Sequence, residues 1–145
     1  MPLAAGAILV ISLLAHLAVG RWVASPWLMP DVSLVGLLVA LQRAPQYRLP
    51  LLALASLGAT AASAPGGGLA GPAYLGAGGL FVWASTQWDL RAPAVHAAVL
   101  GGLEALLVAI WCALSRPPVT PALLGLGAGK IALTVAWGRL LHRYA

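Results

Sequence analysis

The chain has 145 residues, of which 61% are hydrophobic and only 8% charged. A water-soluble domain carries about 25% charged residues, so this composition excludes a soluble all-core protein and makes lipid the solvent. The net charge of +5 comes from basic residues scattered over loops and a tail, not from a stripe interleaved with aromatics, which favours anionic lipid over nucleic acid as the counter-charge.

Crossing about 30 Å of hydrocarbon takes roughly 17 to 25 helical residues. Six apolar stretches are candidates. The first, residues 3–19, is interrupted only by Ser12 and His16 and ends at Gly20-Arg21, with Trp22 and Trp27 beyond it as interface anchors. The second, residues 30–42, opens on Pro30-Asp31: proline suits a first helical turn, and aspartate complements the positive N-terminal dipole. It supplies only about 20 Å of helix, so it tilts little, thins the bilayer or is partly re-entrant.

The third and fourth, residues 49–64 and 69–87, flank Pro65-Gly66-Gly67-Gly68, an uncharged tract that reads as a tight hairpin turn. No Lys-Ser or Lys-Thr follows it, so it is not a phosphate loop. The fifth and sixth, residues 93–114 and 121–141, are separated by Arg116-Pro117-Pro118, with prolines at boundaries as helices require. None of these runs alternates polar and apolar residues as a β-barrel would.

The predicted fold is therefore an all-α integral membrane protein, a single domain of six transmembrane helices. Arg43, Arg48, Arg91, Arg139 and Arg143 fall on one side, and Arg21 and Arg116 on the other, which puts both termini in the cytoplasm. No basic residue precedes the first apolar run, so that helix is expected to be retained. The lone Cys112 excludes an internal disulfide and reads as packing.

Chemistry-bearing groups are few. His16, His96 and His142 lack metal-ligand spacing, no nucleophile elbow is present, and the chain has only three carboxylates. The expectation is a protein that is not an enzyme and holds no cofactor or metal. A lone histidine such as His16 is more often hydrogen-bonded to a neighbour than a pH-sensitive group.

One polar pair stands out, because ionisable groups in a bilayer are costly and face a partner or a wet cavity. Helices five and six run antiparallel about their shared loop. Glu104 lies about ten residues below Leu114 and Lys130 about nine beyond Pro121, so at about 1.5 Å per residue both fall near the midplane. Glu104 and Lys130 read either as a closed ion pair that neutralises two buried charges or as a proton or ion relay.

Small residues are the other signal. Helix three carries Ala55, Gly58, Ala59 and Ala62, and helix four carries Gly67, Gly71, Gly76, Gly78 and Gly79. In lipid such faces allow close backbone approach and drive helix association. They serve packing within one bundle, or they dock another protein's helix; Gly58, Ala62, Gly67, Gly71 and Gly76 are the candidate contacts. Bulky replacements such as Gly71→Leu are expected to abolish binding of that partner while leaving insertion intact.

From Leu28-Met29-Pro30-Asp31-Val32-Ser33-Leu34 onward the chain resembles the rod shape-determining protein MreD family, small bacterial membrane proteins with a similar entry to an early helix. The likeness covers roughly residues 27–85. It rests on order: the entry, an apolar helix, a short basic loop over residues 42–48, a small-residue helix, a Gly-rich hairpin over residues 65–71, and a further helix. Family members often carry an Asp before the Gly-rich turn; Ala61, Ala62 and Ser63 stand there in this chain, so a role for that acid does not carry over.

The resemblance implies a non-enzymatic component of the cell-elongation machinery in the bacterial inner membrane. It would bind the bitopic protein MreC and help couple MreB to RodA and its transpeptidase partner in peptidoglycan synthesis. It also implies a fold like the substrate-binding subunits of energy-coupling-factor transporters. That fold analogy, with the Glu104 and Lys130 pair, keeps a small-molecule, vitamin-like binding or transport subunit as the competing function.

Overall fold

The computed structural model describes residues 2–22, 27, 29–62 and 69–144. Within them the chain forms six α-helices: α1 Pro2–Gly20, α2 Val32–Arg43, α3 Arg48–Ala62, α4 Ala70–Gln87, α5 Pro93–Ser115 and α6 Pro121–Tyr144, with a 3-10 turn at Pro45–Tyr47 ahead of α3. The Gly-rich tract predicted as a hairpin turn lies outside the described residues.

Three helices are long and apolar enough to cross a membrane: Leu3–Gly20, Pro93–Ser115 and Pro121–Leu141. Of the others, α2 has 12 residues and α3 has 15, while α4 has 18 but closes on Ser85-Thr86-Gln87. The surface is inverted relative to a soluble protein. Leu3, Ile11, Leu14, Leu57, Val119 and Leu124 are each at least 60% exposed, and an apolar shell of this extent suits lipid and not water.

Neighbours in sequence pack as pairs, α1 with α2, α3 with α4, and α5 with α6. Gly101 faces Ile131 and Val135 while Gly127 faces Val108, so α5 and α6 are antiparallel. In the second pair Gly71 faces Ser56 and Thr60 and Gly78 faces Leu52, again antiparallel. Gly36 lies against Ser12 and Gly138 against Leu100 so closely that a methyl group at either glycine would collide. Small residues thus let helices approach closely in lipid, where apolar burial gives little driving force.

Helix α2 is the centre. Every residue from Ser33 to Leu41 is buried, and α1, α3, α4 and α6 all touch it. Its sequence is apolar around nearly its whole circumference, the pattern of a helix with no wet face. The helix runs parallel to α6: the Asp31 amide bonds Thr134 and Val35 lies beside Gly138. Thr134 is near the middle of α6, so α2 begins level with the middle of that helix and spans about 18 Å from there.

The observed start corrects the expected one. The stretch predicted from Pro30 becomes helical at Val32, because the Asp31 carboxylate takes the capping position and accepts the Leu34 amide at 2.8 Å, leaving Pro30 outside the helix. Capping is the strongest local preference of aspartate. Most other boundaries shift by one residue, as at α4, which opens at Ala70 with Leu69 as its cap, and α6 continues three residues past 141 to Tyr144, where nothing in the sequence breaks it.

Candidate functional site

The chain leaves α1 and Trp27 packs edge-on against Trp111, 5.0 Å between ring centroids, toward the C-terminal end of α5. At Met29, which is only 3% exposed, the backbone lies inside the bundle and is not helical. Non-helical backbone away from water leaves polar groups that must be satisfied by protein. Thr134 and Lys130 of α6 do this, within a cluster that side chains of α1, α4 and α5 complete.

Asp31 is its hub. Besides capping α2, its carboxylate accepts the Tyr74 hydroxyl at 2.7 Å through Oδ1 and 2.6 Å through Oδ2, and its own amide donates to Thr134 Oγ1 at 2.9 Å. Tyr74 comes from the first turns of α4 and Thr134 from the middle of α6. His16 of α1 brings Nδ1 to 3.9 Å from Asp31 Oδ1. The positive N-terminal end of α2 lies against the same carboxylate and stabilises its charge.

Lys130 extends the cluster. Its ammonium donates to the Met29 carbonyl at 3.1 Å and stands 3.7 Å from Glu104 Oε1. Glu104 is fully buried, at 0% exposure. The structure thus brings together the two residues singled out near the midplane and adds a task for Lys130: it holds a backbone carbonyl of the segment entering α2. His96, also buried, packs edge-on to Phe81 at 6.4 Å, two turns before Glu104 on α5.

The cluster's formal charges are two carboxylates against one ammonium and one imidazole. Among the described residues no group of three His, Cys, Asp or Glu side chains is placed to hold a metal ion. Cys112 is a free, half-buried thiol on α5.

The small residues divide sharply. Gly71 is buried, and a Cβ there would lie 2.9 Å from the Ser56 carbonyl oxygen; at Gly58 it would lie 2.7 Å from Leu13 of α1. Both positions are therefore spent inside the bundle, and Gly71→Leu would disturb the α3–α4 seam before it reported on any partner. Gly76 has open space around it, as does Gly79. Gly67 and the side chain of Ala62 lie outside the described residues.

Helix α4 accordingly has two faces. Ala77, Gly78, Phe81 and Ala84 point inward, while Leu75, Gly76, Gly79, Leu80 and Trp83 are exposed. Sequence reasoning missed Tyr74 and Thr134 and gave His16 little weight. It also passed over α6, where Gly125 and Gly129 stand open four residues apart. That spacing was the available signal for α6; for Tyr74 and Thr134 there was none, since their convergence on Asp31 depends on tertiary packing.

Comparison of the chain with protein families, with curated proteins and with solved structures finds no match.

Proposed function

We propose that this chain is a non-enzymatic, multi-pass scaffold of the bacterial inner membrane, with six helices in the bilayer and both termini cytoplasmic. It serves the cell-elongation complex by binding the transmembrane and juxtamembrane segment of MreC, and through it RodA, its transpeptidase partner and MreB. The partner's identity comes from the resemblance of residues 27–85, from the Pro30-Asp31 entry onward, to the MreD family.

The observation that carries the reading is the outer face of α4. There Gly76 and Gly79 are open between Leu75, Leu80 and Trp83, which are 43%, 44% and 55% exposed. A foreign helix can bring its backbone close at the glycines and seat side chains between the large residues. Co-expression with MreC tests it. Wild type is expected to retain MreC through purification in mild detergent, and Gly76→Leu with Gly79→Leu to release it while insertion and melting temperature stay unchanged. Retention by the double variant removes this surface; failure of wild type to retain MreC removes the function.

The polar cluster around Asp31 supports a second reading, a small-molecule, vitamin-like binding subunit with a fold like that of energy-coupling-factor substrate-binding subunits. A vitamin that raises the melting temperature of wild type but not of Asp31→Asn would favour it, since only a ligand of the folded state stabilises by mass action.

A further inference from the structure

At the end of the bundle where α2 finishes and α3 begins, a cleft of about 510 Å³ opens between the C-terminal ends of α2 and α4 and the loop leading into α5. Arg43, Arg48 and Arg91 line it with a single carboxylate, Asp89. Three guanidinium groups against one carboxylate leave a surplus of two positive charges in one concavity. Asp89 is already engaged locally, accepting the Arg91 amide at 3.0 Å, and Arg43 also complements the negative C-terminal end of α2.

The lining is amphipathic. Leu41, Phe81 and Leu90, all buried, form an apolar floor beneath the arginines. At the rim Trp88 is 51% exposed and packs edge-on against Trp83 at 5.8 Å, an arrangement suited to a boundary between apolar and aqueous phases. Arg48 supplies a second, independent sign: its Nε–H is buried and, among the described residues, has no hydrogen-bond acceptor. A buried guanidinium N–H without an acceptor is costly, and an oxyanion in the cleft relieves it once the Arg48 side chain turns toward the opening.

We propose that this cleft binds one phosphate-bearing anion, gripped by the guanidinium groups of Arg43, Arg48 and Arg91 and seated on the apolar floor. Guanidinium forks match phosphate oxygens in pairs, which a scatter of lysines would not, and the volume is that of an ordinary small-ligand pocket. The site stands on the cleft itself; only the source of the anion, a phospholipid headgroup or a soluble phosphate ester, depends on the proposed bilayer placement.

The test uses the full chain in neutral detergent, read by native mass spectrometry and thermal unfolding with phosphatidylglycerol, with diacylglycerol, and with glycerol 3-phosphate. One phosphatidylglycerol per chain should survive into the gas phase and raise the melting temperature by several degrees. Diacylglycerol, lacking the phosphate, should do neither. The triple variant Arg43→Gln, Arg48→Gln, Arg91→Gln should weaken binding at least about ten-fold, the equivalent of one lost charge-assisted hydrogen bond. Arg21→Gln with Arg116→Gln, on other loops, should leave it intact.

A shift from glycerol 3-phosphate that the triple variant abolishes supports the site and assigns a soluble ester. Should the triple variant fail to insert, each single glutamine variant is expected to lose part of the shift, with Arg48→Lys recovering less than wild type. The proposal is overturned if neither phosphate compound acts on wild type, if diacylglycerol matches phosphatidylglycerol, or if the cleft variants, triple or single, respond as wild type does.

Discussion

The two ends of α2 hold charge in opposite ways. At its N-terminal end Asp31 and Lys130 bond backbone groups, while Glu104 and His16 meet them by charge at 3.7 and 3.9 Å, with both Glu104 oxygens and His16 Nδ1 lacking hydrogen-bond partners among the described residues. At its C-terminal end Arg43, Arg48 and Arg91 line an open cleft together with one carboxylate, Asp89. Buried charge away from water must be matched within the protein, because the cost of leaving one group unpaired is several kcal/mol. Charge near the surface is screened by solvent, so holding it in excess costs little. The first end is thus built for folding, and the second is open to binding.

Substitutions should separate the two ends by size of effect. The largest loss is expected from Lys130→Met, which strips the Met29 carbonyl of its donor and leaves Glu104 buried without a counter-charge, destabilising the chain by about 3 to 5 kcal/mol. Adding Glu104→Gln should recover much of that loss, and a double-mutant cycle in thermal unfolding measures the coupling. Strict additivity would show that the two groups do not share a site.

Asp31→Ala comes next, at about 3 kcal/mol, from the lost helix cap and the lost charge-assisted bond to Tyr74. Tyr74→Phe should cost about 1.5 to 3 kcal/mol, because it removes only that second interaction. Gly71→Leu is expected to destabilise the α3–α4 seam by about 1 to 3 kcal/mol through overpacking, whereas Gly76→Leu on the opposite face should change stability little. Smallest of all, glutamine at Arg43, Arg48 and Arg91 should shift unfolding in neutral detergent by no more than about 0.5 kcal/mol each. A large loss there would make the cleft arginines structural and erase the contrast between the two ends.

The contrast also explains what could be read from the amino-acid order. Hydropathy finds α1, α5 and α6 because they face the apolar exterior along most of their length. Depth counting from the α5–α6 loop levels Glu104 with Lys130 because an antiparallel pair fixes that register. Helix α2 was marked by its Pro30-Asp31 entry, but its burial on every side comes from α1, α3, α4 and α6 closing around it, and only its all-round apolar sequence hinted at that. Tyr74 and Thr134 reach Asp31 across separations of 43 and 103 residues, and no local pattern encodes such a meeting. Small residues revealed close approach without revealing which side: Gly71 faces inward and Gly76 outward on one helix, a distinction set by which neighbour packs there.

The polar cluster exists only because residues 29–31 lie within the bundle without helix and α2 starts halfway along α6. Solution NMR of the chain in lipid nanodiscs measures this directly, through the secondary chemical shifts of residues 29–31 and the hydrogen exchange of the Asp31 amide. The structure requires non-helical shifts at Met29 and Pro30 together with a strongly protected Asp31 amide that loses its protection in Thr134→Val. Helical shifts running unbroken from Trp27 to Arg43, or an Asp31 amide that exchanges freely with water, would contradict it.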